Sequence, residues 1–272
     1  MLKETYFGDS VIRYREEGEG HCLVLLHGFC ESLEIWDEFI GPLSRKFRVI
    51  APDLLGHGKS EVSYHRVGYG GPTHTMERMA ECVNEVLRNS QVDRCTMVGH
   101  SMGGYTALAF AELFPEKLKG LCLFHSTAMA DTEERRRERN LAIEVARKDK
   151  IAFVEGLIPR MFAPSSLERM RGYVERVLTI AKNNPLEGIV AALAGMRDRK
   201  DRQQVLERAN YPILFILGKE DQLIPLERMF PQIVKPEHSE VLMLGGVGHM
   251  GFYEAKEKTL FAIERFVEET NR

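Results

Sequence analysis

Three residues far apart in the chain have types that could do chemistry together. Ser101 stands in Val98-Gly99-His100-Ser101-Met102-Gly103-Gly104, the spacing G-x-S-x-G, with strand-forming residues before it (94–98) and an Ala-rich helical run after it (105–114). Strand, sharp turn and helix in that order hold a serine in a strained backbone, and side chains two positions to either side would collide with the crossing strand and helix. The turn lifts one hydroxyl clear of the sheet edge. It also puts the Met102 amide at a helix N-terminus, where unpaired N–H groups and the helix dipole favour negative charge. A plain Gly-rich turn with Ser101 as a helix cap is the bland alternative. A serine hydroxyl is a poor nucleophile at neutral pH and needs a base, itself oriented by a third group. His249 follows the apolar run 241–244, and Asp221 follows the run 215–217. Residues just past the carboxyl ends of neighbouring parallel strands converge in one crevice, so Ser101, Asp221 and His249 are expected to meet. Glu220 and Asp53 remain alternative carboxylates on spacing alone.

The elements that must position them alternate. Residues 5–7 and 11–15 flank the turn pair Gly8-Asp9 and read as an antiparallel hairpin. The unbroken apolar run 21–26 predicts a strand covered on both faces. An amphipathic stretch (32–44), a strand (48–51), a Gly-punctuated loop (53–60, extended by 68–72), a helix (76–89), the strand 94–98, the helix 102–114 and the strand 120–124 follow. Strand, helix, strand implies a parallel sheet with right-handed crossovers. From about Ser126 to Ala209 only helical patterning appears. Asp131-Thr132-Glu133-Glu134 reads as a capping box, Glu133 is set to face Arg137, and 133–139 reads as a solvated helix face. The sheet resumes at 212–218 and 240–244, and a helix over 253–270 closes the chain. The expected organisation is a core of residues 1–125 and 210–272 with a helical lid, 126–209, over the strand ends.

Composition excludes several classes. A net charge of −3 with 44% hydrophobic and 28% charged residues fits a globular protein, and no basic stripe offers affinity for nucleic acid. No apolar run is long enough to span a bilayer, and the N-terminus lacks a signal-peptide core, so no membrane partner and a cytoplasmic location are expected. Gly56, Gly58 and Lys59 miss the P-loop spacing, and no histidine pair has zincin spacing; neither cofactor nor metal is expected. The five cysteines contain no C-x-x-C pair and read as free small hydrophobes, with Cys30 the one near candidate chemistry.

His27-Gly28-Phe29, Asp53-x-x-Gly56-His57-Gly58-x-Ser60, the serine turn, Gly218-x-x-Asp221 and Gly248-His249 occur in one order along essentially the whole chain. In these motifs it resembles the α/β-hydrolase superfamily, whose acid–base order is Ser, Asp, His. The resemblance implies an α/β fold, a mostly parallel eight-stranded sheet flanked by helices with an inserted helical lid. It makes Ser101 the nucleophile, His249 the base and then acid, and Asp221, not Glu220, the orienting carboxylate. It assigns the oxyanion hole to the amides of Phe29 and Met102, worth about 3–4 kcal/mol in comparable sites. His27, His57 and His100 are expected to be structural. His125 falls where some relatives place the acid, which strengthens Asp221. Dehalogenases and epoxide hydrolases carry aspartate at the turn, ring-fission C–C hydrolases a more Gly-rich segment than His27-Gly28-Phe29-Cys30, and menaquinone-pathway synthases a basic residue where Tyr105 stands. The function this implies is a serine hydrolase, foremost a carboxylesterase acting on a small or medium acyl ester through an acyl-enzyme. Trp36, Met129, Met161 and Phe162 are the expected substrate-binding residues. A thioesterase or lactonase would use the same machinery; a slow-turnover receptor and a triad-bearing lyase or synthase are the other classes. A homodimer is one open oligomeric state.

Overall fold

Every residue of the strand Cys22–Leu26 is buried, because helices cover both faces of the sheet at its centre. The computed structural model describes residues 1–64, 67–68 and 71–271. In chain order the strands are β1 (Leu2–Phe7), β2 (Ser10–Glu17), β3 (Cys22–Leu26), β4 (Arg48–Pro52), the two-residue β5 (Val67–Gly68) and β6 (Gly71–Pro72), β7 (Cys95–His100), β8 (Leu118–Phe124), β9 (Ile213–Gly218) and β10 (Ser239–Leu244). Helix α1 (Asp37–Leu43) lies between β3 and β4, α2 (Met76–Asn89) before β7 and α3 (Met102–Leu113) after it. Helices α4 (Glu133–Lys148), α5 (Lys150–Leu157), α6 (Arg171–Asn183), α7 (Leu186–Arg197) and α8 (Gln203–Arg208) lie between β8 and β9. Helix α9 (Phe230–Ile233) precedes β10, and α10 (Gly251–Glu254) and α11 (Lys256–Thr270) end the chain.

The main sheet runs β1-β2-β4-β3-β7-β8-β9-β10. β2 pairs antiparallel with both β1 and β4, and every other neighbouring pair is parallel. This is the eight-stranded, mostly parallel α/β architecture expected. The order puts β7 between β3 and β8, so the loops after β3, β7, β8 and β9 open on one side of the sheet. Within the stretch 68–72, expected as loop, lies part of the short antiparallel ribbon β5–β6; Tyr69 and Gly70 lie outside the described residues.

Three details differ from the periodicity reading. The stretch 32–44 divides into a 3-10 turn, Leu33–Trp36, and α1, and the closing helix breaks at Ala255 into α10 and α11. At the start of α4, Thr132 alone caps, its Oγ1 accepting from Arg135 N, while Glu133 pairs with Arg136 instead of Arg137. Asp131, freed from capping, turns inward to Arg139 and Arg199. Among the described residues no strand interrupts the helices between β8 and β9. Helix α7 seats this helical block on the core: a Cβ on Gly188 would overlap the Gly56 backbone.

Candidate active site

β7 runs into α3 through Ser101, whose φ of 49° and ψ of −114° lie outside the favourable regions for a residue with a side chain. Neighbouring backbone over-determines the turn. Ser101 N donates to Phe124 O (2.9 Å), and its carbonyl accepts from Gly104 N (2.9 Å) and Ser126 Oγ (2.8 Å). Only glycine fits at 99 and 103: a Cβ on Gly103 would lie 2.5 Å from Leu26 O, and one on Gly99 2.6 Å from Gly104 Cα. Met102, buried, is the first residue of α3.

Past β9, Asp221 is buried, and its Oδ1 accepts from the amides of Leu223 and Ile224, both at 2.9 Å. Its Oδ2 lies 2.8 Å from His249 Nδ1, which therefore donates. Burial opposes the Asp221 charge, yet His249 and His125 beside it outweigh burial and hold the carboxyl far below the usual carboxylate range. His125 Nδ1 stands 3.2 Å from the same oxygen; burial pushes this imidazole down to about 4, so it is neutral. With Nδ1 engaged, the other ring nitrogen of His249, Nε2, is buried and has no hydrogen-bond partner among the described residues. Glu220, the alternative carboxylate, instead accepts from Ser165 Oγ (2.8 Å). Asp53 is spent on loop amides, accepting from Leu33 N (2.8 Å) and Lys59 N (2.9 Å). His125, Asp221 and His249 also form a cluster with metal-ligand chemistry, their donor atoms within 4.8 Å of one another. Within it, the His249 Nδ1–Asp221 Oδ2 contact is a hydrogen bond.

His249 is held by more than Asp221. Its N–H donates to Met161 O (2.7 Å), and its carbonyl accepts from His100 Nε2 (2.9 Å). His100 Nδ1 in turn meets Glu31 Oε2 at 3.1 Å, both side chains fully buried. Burial opposes both charges, but each partner outweighs it, so His100 is shifted up and Glu31 down. Glu31 Oε2 also accepts from Gly28 N, which ties the loop after β3 to the histidine beside Ser101. Glu254 is a second buried anchor. Its Oε1 accepts from Ala163 N (2.8 Å) and Ser166 Oγ (2.6 Å), and its Oε2 from Gly248 N (3.0 Å) and Met250 N (3.2 Å). Sequence reasoning missed Glu31 and Glu254. The available signal was slight: Glu31 stands alone between Cys30 and Ser32, and Glu254 ends the apolar run Met250-Gly251-Phe252-Tyr253.

A cavity of about 560 Å³ lies between the strand ends and the helical block, and Ser101 and His249 both line it. Phe29 and Met161 line it as well; Trp36, Phe162 and Met129 do not. Trp36 is sealed in the core against Phe39 and Phe252, and Phe162 is likewise buried in the hydrophobic core. Met129 lies beside the Asp131 network, its carbonyl accepting from Arg199 Nε. An apolar residue type does not tell which side of a helix or loop it will face. Part of the expected solvated face of 133–139 is cavity wall: Arg135, Glu138 and Arg139 line it, three residues on one side of α4. His27 accepts from Leu54 N (2.9 Å) through Nε2, and His57 Nδ1 lies 3.1 Å from Leu55 O, both loop contacts. Burial raises the Cys30 thiol well above its ordinary range, leaving it protonated despite its nearby position.

Sheet order, strained serine turn and the imidazole–carboxylate pair past β9 define an α/β-hydrolase-type site. Residues 22–141 match the family model described as the alpha/beta hydrolase fold. A thermophilic esterase from Thermogutta terrifontis, solved with malate bound, superposes with a TM-score of 0.91 at 27% identity over 100% of both chains. A hydrolase from Pseudomonas aeruginosa superposes with a TM-score of 0.87 at 26% identity over 97% of both. The dihydrolipoyllysine-residue acetyltransferase component of the acetoin cleaving system of Pseudomonas putida is 30% identical over 261 residues, 92% of this chain and 65% of that protein. The chain belongs to the α/β-hydrolase superfamily. No helix among the described residues is long and apolar enough to cross a membrane.

Proposed function

We propose that this protein is a serine hydrolase, foremost a carboxylesterase that cleaves small or medium acyl esters through an acyl-enzyme. One observation carries the reading: a serine on a strained turn and an imidazole with a free, buried Nε2 line one cavity, and the other imidazole nitrogen is bonded to an ionised carboxylate. Ser101 Oγ attacks the ester carbonyl and gives its proton to His249 Nε2. The carbonyl oxygen gains negative charge at the start of α3, where the Met102 amide and the amide of Phe29 are its donors. His249 then passes the proton to the leaving alcohol, leaving an acyl-Ser101. A water activated by the same Nε2 releases the acid and restores the serine. Asp221 fixes the tautomer and supports the imidazolium charge. Ser101 Oγ and His249 Nε2 are not yet within hydrogen-bond reach; such contacts tighten when substrate binds. The helices 126–209 serve as the lid that shapes the acyl pocket. The esterase superposition over the full chain supports the same reading.

The test is labelling with a fluorophosphonate probe together with turnover of p-nitrophenyl acetate and butyrate. Ser101 is expected to be the labelled residue, and Ser101→Ala is expected to lose turnover by about 10⁴-fold or more. A folded wild-type protein that neither labels nor turns over either ester overturns the reading.

A further inference from the structure

The wall that the helical block presents to the cavity is unevenly charged. Helix α4 contributes Arg135 and Arg139, and the 3-10 turn after α5 contributes Arg160; Glu138 is the acidic side chain in the lining. Glu138 is already engaged, its Oε2 2.8 Å from Arg135 Nη1. Arg139 contacts Asp131 at 3.2 Å, but Asp131 is shared, its other oxygen 2.7 Å from Arg199. Arg160 has neither ion pair nor hydrogen bond among the described residues. Three guanidinium groups and one carboxylate therefore line this end of the cavity, and Asp131, behind the lining, is divided between Arg139 and Arg199. The rest of that wall is apolar, with Ala142, Val145, Phe153 and Leu157. Burial and the like charge of Arg199 push the Arg139 guanidinium below its usual range, and Asp131 only partly restores it, so this cation gains from a further negative neighbour.

We propose that the substrate carries a free carboxylate on the part that faces the helical block, held by Arg160 and Arg139 while its ester or lactone carbonyl sits at Ser101. This rests on the serine-hydrolase reading and narrows its substrate class to acidic hemiesters and lactones. One unpaired and one half-paired guanidinium in the same cavity lining match a single negative charge, so a carboxylate fits better than a phosphate dianion. The apolar residues that share the lining with the cations and the serine suit a short methylene chain linking the carboxylate to the ester.

Two measurements at low ionic strength test it. The first compares mono-p-nitrophenyl glutarate with p-nitrophenyl valerate, an uncharged ester of similar length. The acidic ester is expected to have the higher kcat/KM by about tenfold, and the ratio is expected to collapse toward one in Arg160→Gln and in Arg139→Gln/Arg160→Gln, and with added salt. Equal kcat/KM for the two esters, or a ratio indifferent to these substitutions in proteins that melt like wild type, overturns the proposal. The second titrates glutarate itself by calorimetry, which needs no turnover. Saturable binding lost in Arg139→Gln/Arg160→Gln supports the site, and no binding to wild type overturns it. If neither ester is hydrolysed and Ser101 does not label, the serine-hydrolase reading fails, and the glutarate titration alone then decides the carboxylate site.

Discussion

The two sides of the cavity are built on opposite plans. On the core side, the residues around Ser101 and His249 are buried, their backbone groups are paired, and strain is concentrated at Ser101, with φ also positive at Cys30 and His125. On the other side, α4 is charged along most of its length, and its apolar Leu141 and Val145 are 61% and 50% exposed where they meet the cavity. A backbone conformation that costs free energy persists only where packing leaves no alternative. On the proposed mechanism the core side is the part that fixes the reacting atoms, and the helical side is free to vary in shape and charge. Glu254 and the Met161 carbonyl join the two, since both bind the His249 loop to the segment 161–166.

The largest effect expected on the core side is from Asp221→Asn. An amide cannot fix the same imidazole tautomer, so kcat toward p-nitrophenyl butyrate should fall by about 10⁴-fold with the fold retained by circular dichroism. A loss below tenfold would mean that the carboxylate does not orient His249. Next comes Glu254→Gln, which turns one acceptor oxygen into a donor facing two existing donors. A stability loss of about 3 kcal/mol in urea unfolding is expected, together with a lower kcat, because the His249 loop loses its tie. Unchanged stability would separate the two sides of the cavity more than the structure does.

A smaller effect distinguishes the buried Glu31–His100 pair. His100 is raised above its ordinary 6.5, so its contribution to stability is full below that pH and is lost as pH rises through its folded value. Glu31 is lowered from 4.5, so its contribution is full above that pH and is lost as pH falls through its folded value. The melting-temperature difference between wild type and Glu31→Gln/His100→Gln should accordingly be greatest between these two ordinary values and shrink toward pH 9. A difference constant from pH 5 to 9 would show that folding does not shift His100 from its ordinary value. The smallest effect is expected on the helical side: Val145→Ser should change stability by less than about 0.5 kcal/mol. It should shift acyl-chain preference across a panel of p-nitrophenyl esters while leaving acetate turnover close to wild type. Loss of acetate turnover in that variant would break the division of labour between the two sides.

Much of the core side was legible in the chain. Gly99 and Gly103 flank Ser101 because adjoining backbone leaves no room for a Cβ, and that requirement is local enough to leave a fixed spacing in the sequence. Asp221 and His249 were legible because strand ends in a parallel sheet converge, a rule that needs only the strand order. The helical side was less so. Trp36 and Phe162 have the residue types of a pocket wall but are packed into the core, and Arg135 and Arg139 have the types of a solvated face but line the cavity. Helical periodicity gives which residues share a face; it does not say which face meets which neighbour.

The sequence by itself determined the fold, the serine turn and the order of the residues that meet there, since steric exclusion at glycines and burial of apolar strands act over a few residues at a time. Only the tertiary structure decided that His100 reaches across to the His249 carbonyl, that Glu31 and Glu254 are buried anchors, and that guanidinium groups outnumber carboxylates at the roof of the cavity. Each of those joins residues distant in the chain through side-chain direction and burial, quantities set when the helical block packs on the sheet.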